Sequence, residues 1–134
     1  MMFWLLSSLG FASSGLDVVI TGLHSAQGRV GCSAFADESG WPGDPTAAKA
    51  AMLVDIRGDR AVCRFTELPA GRYAIAVMHD ENNNQKLDTN TFGFPAEGYG
   101  FSRDAPIRFG PPSFDSAAVD YAGDDAQITV RIRY

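Results

Sequence analysis

The feature that most constrains the fold is a set of short runs in which apolar and polar residues alternate. The clearest is the C-terminal run 126–134, where residues such as Gln127 and Thr129 separate the apolar positions. A repeat of two is the side-chain period of a β-strand, so this run predicts a strand with one face on a core. Its predicted inward residues are Ala126, Ile128, Val130, Ile132 and Tyr134.

Turn sequences separate the apolar runs along the chain. Gly58 and Asp59 predict a hairpin turn, and 46–51 predicts one helical turn with Pro45 near its start. The run 72–79 is apolar on both faces, which predicts a central strand covered on both sides. The runs are 16–23, 29–36, 52–57, 61–67, 72–79, 117–121 and 126–134. The pattern predicts an all-β domain, an antiparallel, immunoglobulin-like β-sandwich of about seven strands with one long ordered loop.

Length and charge limit the classes of function. The chain has 134 residues, which suits one domain, here predicted over 15–134. The net charge is −5 and the pI about 4.8, so a basic face for nucleic acid is not expected. An anionic membrane surface is disfavoured for the same reason.

The N-terminal segment resembles a secretory signal peptide over 1–14. It is apolar from Phe3 to Phe11 and ends in the small residues Ala12, Ser13 and Ser14. It is too short to span a bilayer. No Lys or Arg precedes the apolar run, so a first buried strand is the alternative. A cleaved signal predicts a secreted or periplasmic protein with no membrane insertion after processing.

Two cysteines, Cys32 and Cys63, lie in strand-like runs. An even count in an exported chain favours one disulfide between them. Two buried free thiols are the alternative. Neither cysteine has a histidine beside it in the sequence, which argues against a thiolate nucleophile.

The main chemical signal is the segment HDENNNQKLDTN, from His79 to Asn90, at the end of the central strand. We call it the oxygen-rich segment. Calcium takes about six to eight oxygen ligands, and alternate residues of a tight loop can converge on one ion. The candidate ligands are Asp80, Asn82, Asn84, Lys86 through its carbonyl, and Asp88. Most of this order matches an EF-hand-type loop, but Gln85 replaces the usual Gly and Thr91 the bidentate Glu.

Two other interpretations of this segment remain open. Its Asn and Asp side chains could cap their own backbone in a polar turn without an ion. His79, at the strand end, is predicted to be a hydrogen-bonded structural histidine. A transition-metal site would need companions, and His24 is the only other histidine.

A long connection of about 37 residues runs from Asp80 to Ser116, and it is rich in aromatic residues. We expect these residues to pin the connection onto the sandwich. They could instead present a face to a glycan or peptide ligand. The candidate surface residues are Trp41, Phe94, Tyr99 and Phe101. Buried packing under the loop is the alternative.

The run GRYAIAVMHDENNNQKLDTNTFGFPAEGYGFSRDA, over 71–105, and RFGPPSF, over 108–114, resemble a family of exported bacterial proteins, the domain-of-unknown-function family numbered twenty-one forty-one. The resemblance implies an exported, sandwich-like domain with no established activity. Members usually read HDENGNGKLD, whereas this chain has Asn83 and Gln85 in place of Gly. The chain is more loosely similar to transthyretin-like and collagen-adhesin B-type sandwiches.

No hydrolase signature accompanies these resemblances. Transthyretin-related hydrolases depend on a C-terminal Tyr-Arg-Gly-Ser, whereas this chain ends with 131–134, RIRY. Neither a Gly-x-Ser-x-Gly motif nor a phosphate-binding loop is present. The sequence therefore predicts a non-enzymatic exported domain that calcium stabilises through the Asp/Asn-rich loop, with a ligand-binding module as the alternative.

Overall fold

The computed structural model describes residues 14–82, 98–107 and 110–134, in which eight strands form two sheets. The strands are β1 Leu16–Thr21, β2 Arg29–Phe35, β3 Ala50–Val54, β4 Ala61–Phe65, β5 Gly71–Asp80, β6 Tyr99–Phe101, β7 Ala118–Tyr121 and β8 Ala126–Arg131. One sheet has three strands in the order β4-β1-β8. The other has β3, β2 and β5 side by side, and β6 and β7 both pair with β5.

The core lies between the two sheets and follows from the alternation in the sequence. In β1, Leu16, Val18 and Ile20 are buried, while the residues between them are partly exposed. They pack against buried residues of the facing sheet such as Val30 and Ile75. Burying an aliphatic side chain of this size contributes about 1.5–3 kcal/mol, so the alternation fixes which face of each strand turns inward.

β5 is covered on both faces, as its sequence predicts. Tyr73, Ile75 and Val77 face the main core, and Ala74 packs in a second cluster with Phe101. Ser102 connects β5 to a short helix in this cluster. Its buried hydroxyl accepts from the main-chain N–H of Ile75 over 2.9 Å and donates to a carbonyl of the short helix α1, Phe114–Ala117.

A disulfide between Cys32 and Cys63 links the sheets, and it confirms the predicted pair. Cys32 lies in β2 of the larger sheet and Cys63 in β4 of the smaller one. Both residues are buried in the main core. The cross-link therefore spans the interior of the sandwich.

Several local expectations need correction. The strand predicted at 52–57 is Ala50–Val54, and the predicted helical turn is a 3₁₀ turn over Pro45–Ala47, capped by Asp44. β6 lies inside the connection after β5, which the sequence predicts to be one long loop. β1 and β8 pair in parallel, an exception in a sheet arrangement that is otherwise antiparallel.

The C-terminal strand is shorter than its sequence pattern predicts. β8 ends at Arg131, and the prediction that Ala126 and Tyr134 point inward was wrong, because both are exposed. Val130 and Ile132 are buried as expected. The alternation continues to Ile132, whose N–H donates to the carbonyl of Thr21. Arg133 then forms a bridge with Tyr99 of the other sheet, and Tyr134 after it is exposed.

In the part of the chain that the structure describes, no helix has the length and apolar character needed to cross a bilayer. Ser14 is the only described residue of the predicted signal segment, since 1–13 lie outside the described residues.

Candidate functional site

The end of β5 lies against the connection between β1 and β2. Because β2 pairs antiparallel with β5, Arg29 is opposite Asp80 and Val30 is opposite His79. Gly28 approaches so closely that a Cβ there would overlap the main-chain carbonyl of Asp80, and its φ of 72° is in the left-handed region. This contact brings the residues before β2 next to the start of the oxygen-rich segment.

His79 is fully buried, and both of its ring nitrogens have partners. Nε2 lies 2.7 Å from the main-chain carbonyl of Gln27, and Nδ1 lies 2.6 Å from the hydroxyl of Tyr134. A carbonyl only accepts hydrogen bonds, so in the neutral ring Nε2 carries the proton and Nδ1 accepts from the Tyr134 hydroxyl. The prediction of a hydrogen-bonded histidine at this strand end is confirmed.

Tyr134 connects the two histidines. Its ring stacks on that of His24, with centroids 3.7 Å apart and an angle of 11° between the planes. Its hydroxyl accepts from the main-chain N–H of His24 over 3.2 Å and donates to His79. Partial burial raises the pKa of Tyr134, which keeps the phenol protonated as a donor at neutral pH.

Glu81 follows β5 directly and turns toward His24. Its Oε2 lies 2.8 Å from Nε2 of His24 and accepts from the hydroxyl of Ser25 over 3.0 Å. Burial raises the pKa of Glu81, but the hydrogen bonds from His24 and Ser25 outweigh it, and the net pKa is lowered. The carboxylate is therefore ionised at neutral pH.

His24, His79 and Glu81 form one group, which we call the histidine–glutamate cluster. One ligand atom from each residue lies within 4.8 Å of those of the other two. Their exposure differs: His79 is buried, while the side chains of His24 and Glu81 are 51% and 27% exposed. The cluster is thus anchored in the core and open to solvent on one side.

Only two of the predicted calcium ligands lie among the described residues. Asp80, the last residue of β5, has no exposed surface, and Asn82 is exposed two residues further on. Both take part in further interactions. Asn84, Lys86 and Asp88 lie outside the described residues. Calcium binding here remains a prediction.

The predicted aromatic surface is largely packed against the outer face of β5. Phe101 is 6% exposed and contacts the ring of Trp41 at a centroid distance of 5.6 Å. The indole Nε1 of Trp41 donates to the carbonyl of Pro112 over 2.8 Å. Trp41 and Tyr99 are partly buried, and Phe94 lies outside the described residues. Use of these rings as a ligand surface remains a prediction.

No sequence pattern indicates the partners of His79. His24, Gln27 and Tyr134 are 52 to 55 residues from it in the chain. Knowing that β2 pairs with β5 would have placed the first two nearby. The placement of Tyr134 depends on the path of the chain after β8, for which periodicity gives no information.

The geometry defines a disulfide-linked β-sandwich domain with a cluster of ionisable side chains at one end of its central strand. The chain belongs to the bacterial family described as "uncharacterized protein conserved in bacteria" (DUF2141), whose model matches residues 18–129. The suspected resemblance is thereby confirmed at the level of the family. A comparison with curated proteins and with solved structures finds no match.

Proposed function

We propose that this chain is an exported, non-enzymatic β-sandwich domain whose oxygen-rich segment after β5 binds calcium in a structural role. The observation that carries the proposal is the position of Asp80. Its side chain is completely buried at the end of the longest strand, where the alternating series of candidate oxygen ligands begins. A carboxylate held rigidly by a strand is a preorganised first ligand, and the remaining ligands follow from the sequence at Asn82, Asn84, Lys86 and Asp88.

Export to a secreted or periplasmic location is supported by the disulfide. Cys32 and Cys63 are both consumed in this bond, and structural disulfides persist mainly in oxidising compartments. The apolar segment at 3–11 with small residues after it is typical of a cleaved signal peptide.

A non-enzymatic role is supported by the internal partners of the cysteine, histidine and serine side chains. Neither cysteine is a free thiol. The nitrogens of His79 are both engaged by internal partners, and the hydroxyl of Ser25 pairs with Glu81. A groove of about 490 Å³ runs along β3 and β4, and its lining includes neither histidine. Within the described residues, the convergent ionisable groups and this groove therefore do not form one catalytic cleft.

Thermal unfolding with and without calcium tests the proposal. Extracellular modules bind calcium at about 10⁻⁴–10⁻³ M, so ~10 mM calcium should stabilise the folded state by about 1.4–2.7 kcal/mol. EDTA should reverse the shift in melting temperature. An equal concentration of magnesium should give a much smaller shift, because its small ion demands a tight octahedral site.

Matched variants locate the ion. Asp88→Asn removes a charged ligand and should abolish most of the calcium-dependent shift. Asp59→Asn changes an exposed carboxylate in the hairpin turn and should leave the shift intact. A melting temperature that does not respond to calcium in the unmodified chain would refute calcium binding, and an equal loss in both variants would place the ion elsewhere.

A further inference from the structure

We propose that the histidine–glutamate cluster is a binding site for a late first-row divalent metal ion of the zinc and copper class. His79 and Glu81 lie in the same segment as the proposed calcium ligands, but none of the three cluster residues is one of those ligands. The ligands of the cluster site would be Nδ1 of His79, Nε2 of His24 and a carboxylate oxygen of Glu81. Tertiary structure alone brings these three residues together, from the β1–β2 connection and from the end of β5.

The donor set selects the class of ion. Two imidazole nitrogens and one carboxylate oxygen form the His₂Glu set that binds zinc with one position left open. Imidazole suits Zn²⁺, Cu²⁺ and Ni²⁺, whereas Ca²⁺ and Mg²⁺ prefer sites made of oxygen. The cluster therefore suits Zn²⁺, Cu²⁺ and Ni²⁺, whereas the oxygen-rich segment suits Ca²⁺.

His79 already has the arrangement of a metal-binding histidine. Its Nε2–H donates to the main-chain carbonyl of Gln27 over 2.7 Å, which fixes the tautomer and leaves the lone pair on Nδ1. Histidines that bind metals almost always donate their second ring nitrogen to a carbonyl or carboxylate in this way. Here Nδ1 points to the hydroxyl of Tyr134 at 2.6 Å, so a bound ion would take the place of that hydrogen bond.

The other two ligands can complete the site with small movements. His24 Nε2 and Glu81 Oε2 are 2.8 Å apart, and a ring nitrogen of His79 completes a group with one ligand atom per residue within 4.8 Å of the others. Bonds of about 2.0–2.1 Å in a tetrahedron place ligand atoms roughly 3.4 Å apart. The side chain of His24 is half exposed and can adjust, whereas His79 is held in the core.

The electrostatics also favour a cation. Glu81 supplies one negative charge beside the two imidazoles, and the hydroxyl of Ser25 donates to the same carboxylate over 3.0 Å. An ion would replace the hydrogen bond from His24 Nε2–H to Glu81 with two metal–ligand bonds. The imidazole proton of His24 would move to Nδ1, which frees the lone pair of Nε2, while Ser25 continues to orient the carboxylate. The solvent-exposed side of His24 provides the entry path.

Titration of the full chain with Zn²⁺, in competition with a chromogenic chelator, tests the proposal. We expect one site per chain, with affinity at least about tenfold lower in His24→Ala and in Glu81→Gln. Glu67→Gln is the matched control, because it changes an exposed glutamate in the turn after β4 and should leave the affinity unchanged. Thermal unfolding without metal establishes that each variant is folded.

Proton NMR gives a readout that a merely stabilising contact would not affect. The chain has two histidines, so the two sets of imidazole resonances can be assigned from His24→Ala. Both sets should shift or broaden with Zn²⁺ and Cu²⁺ and remain unchanged with Ca²⁺. Zinc binding that persists in both His24→Ala and Glu81→Gln, or that leaves the imidazole resonances unmoved, would overturn the proposal, as would no binding at millimolar Zn²⁺.

The two proposals can fail independently. Asp88→Asn should remove the calcium-dependent stabilisation and leave zinc binding intact, whereas His24→Ala should do the reverse. Loss of zinc binding in Asp88→Asn, with the imidazole resonances no longer responding, would overturn the separate cluster site.

Discussion

His79 and Gln27 are 52 residues apart in the chain, yet Nε2 of the buried imidazole donates to the main-chain carbonyl of Gln27 over 2.7 Å. This hydrogen bond attaches the β1–β2 connection to the end of β5. It also fixes which nitrogen of His79 carries the proton. This one hydrogen bond therefore holds the two segments together and leaves the lone pair of the imidazole on Nδ1.

Substitution of His79 should separate these two effects. His79→Phe fills the site but leaves the Gln27 carbonyl without its donor, so the free energy of unfolding should fall by about 1–3 kcal/mol. His79→Gln, whose side-chain amide can donate to the same carbonyl, should lose less. Urea unfolding measures both values. Equal losses would show that the hydrogen bond is not the main contribution of this residue.

The disulfide should account for a large part of the stability. Cys32 and Cys63 are 31 residues apart, and closing a loop of that length lowers the entropy of the unfolded chain by the equivalent of about 3–4 kcal/mol. The double variant Cys32→Ala/Cys63→Ala should lose about this amount in urea unfolding. Reduction of the unmodified chain should give a loss of similar size. A loss below about 1 kcal/mol would contradict a stabilising role.

Two glycines form a matched pair for testing the contact with Asp80. Gly58 and Gly28 have φ values of 66° and 72°, so alanine is strained by a similar amount at either position, roughly 1–2 kcal/mol. Nothing surrounds Gly58 within 4 Å, whereas a Cβ on Gly28 would overlap the carbonyl of Asp80.

Gly28→Ala should therefore lose at least about 1 kcal/mol more than Gly58→Ala in urea unfolding. It should also weaken calcium-dependent stabilisation if Asp80 is the first ligand, because the end of β5 must move. Equal losses of stability in the two variants would mean that the close approach of Gly28 is relieved without cost.

The loss of folded-state stability at acid pH should depend on Asp125. The N–H of Gly15 and then the guanidinium of Arg64 lower the pKa of this carboxyl, through hydrogen bonds of 3.0 and 3.1 Å. A lowered folded-state pKa contributes stability above the unfolded pKa of about 3.9, and this contribution is lost as the pH falls through the folded value. The side chain is 76% exposed, so the effect should be small.

Melting temperatures measured between pH 7 and pH 2 test this dependence. Asp125→Asn should melt slightly lower than the unmodified chain at pH 7, and the difference should shrink below about pH 4. Asp124→Asn, at the neighbouring exposed position, is the control and should not reproduce this pattern. A difference that is constant down to pH 2 would contradict the predicted role of the Asp125 carboxylate.

The sheet class and most strands could be predicted because burial on one face leaves a period of two in the sequence. β1 illustrates this, since Leu16, Val18 and Ile20 are buried as the alternation requires. The pattern failed at positions that follow the alternation but are not buried. Tyr134 continues the alternation but lies beyond β8, where its ring stacks on His24. The short strand β6 was missed because three residues give too little repeat to detect.

The sequence by itself determined the β-sandwich class, the family and the oxygen-rich segment after β5, because these depend on local periodicity, motifs and residue type. It favoured a disulfide, and the tertiary structure decided that Cys32 and Cys63 meet across the core. Only the tertiary structure decided which strands pair, including the parallel pairing of β1 with β8. It also decided that His24 meets His79 and Glu81. The reason is physical: strand pairing is set by the packing of whole faces, and a site assembled from distant segments leaves no spacing in the sequence.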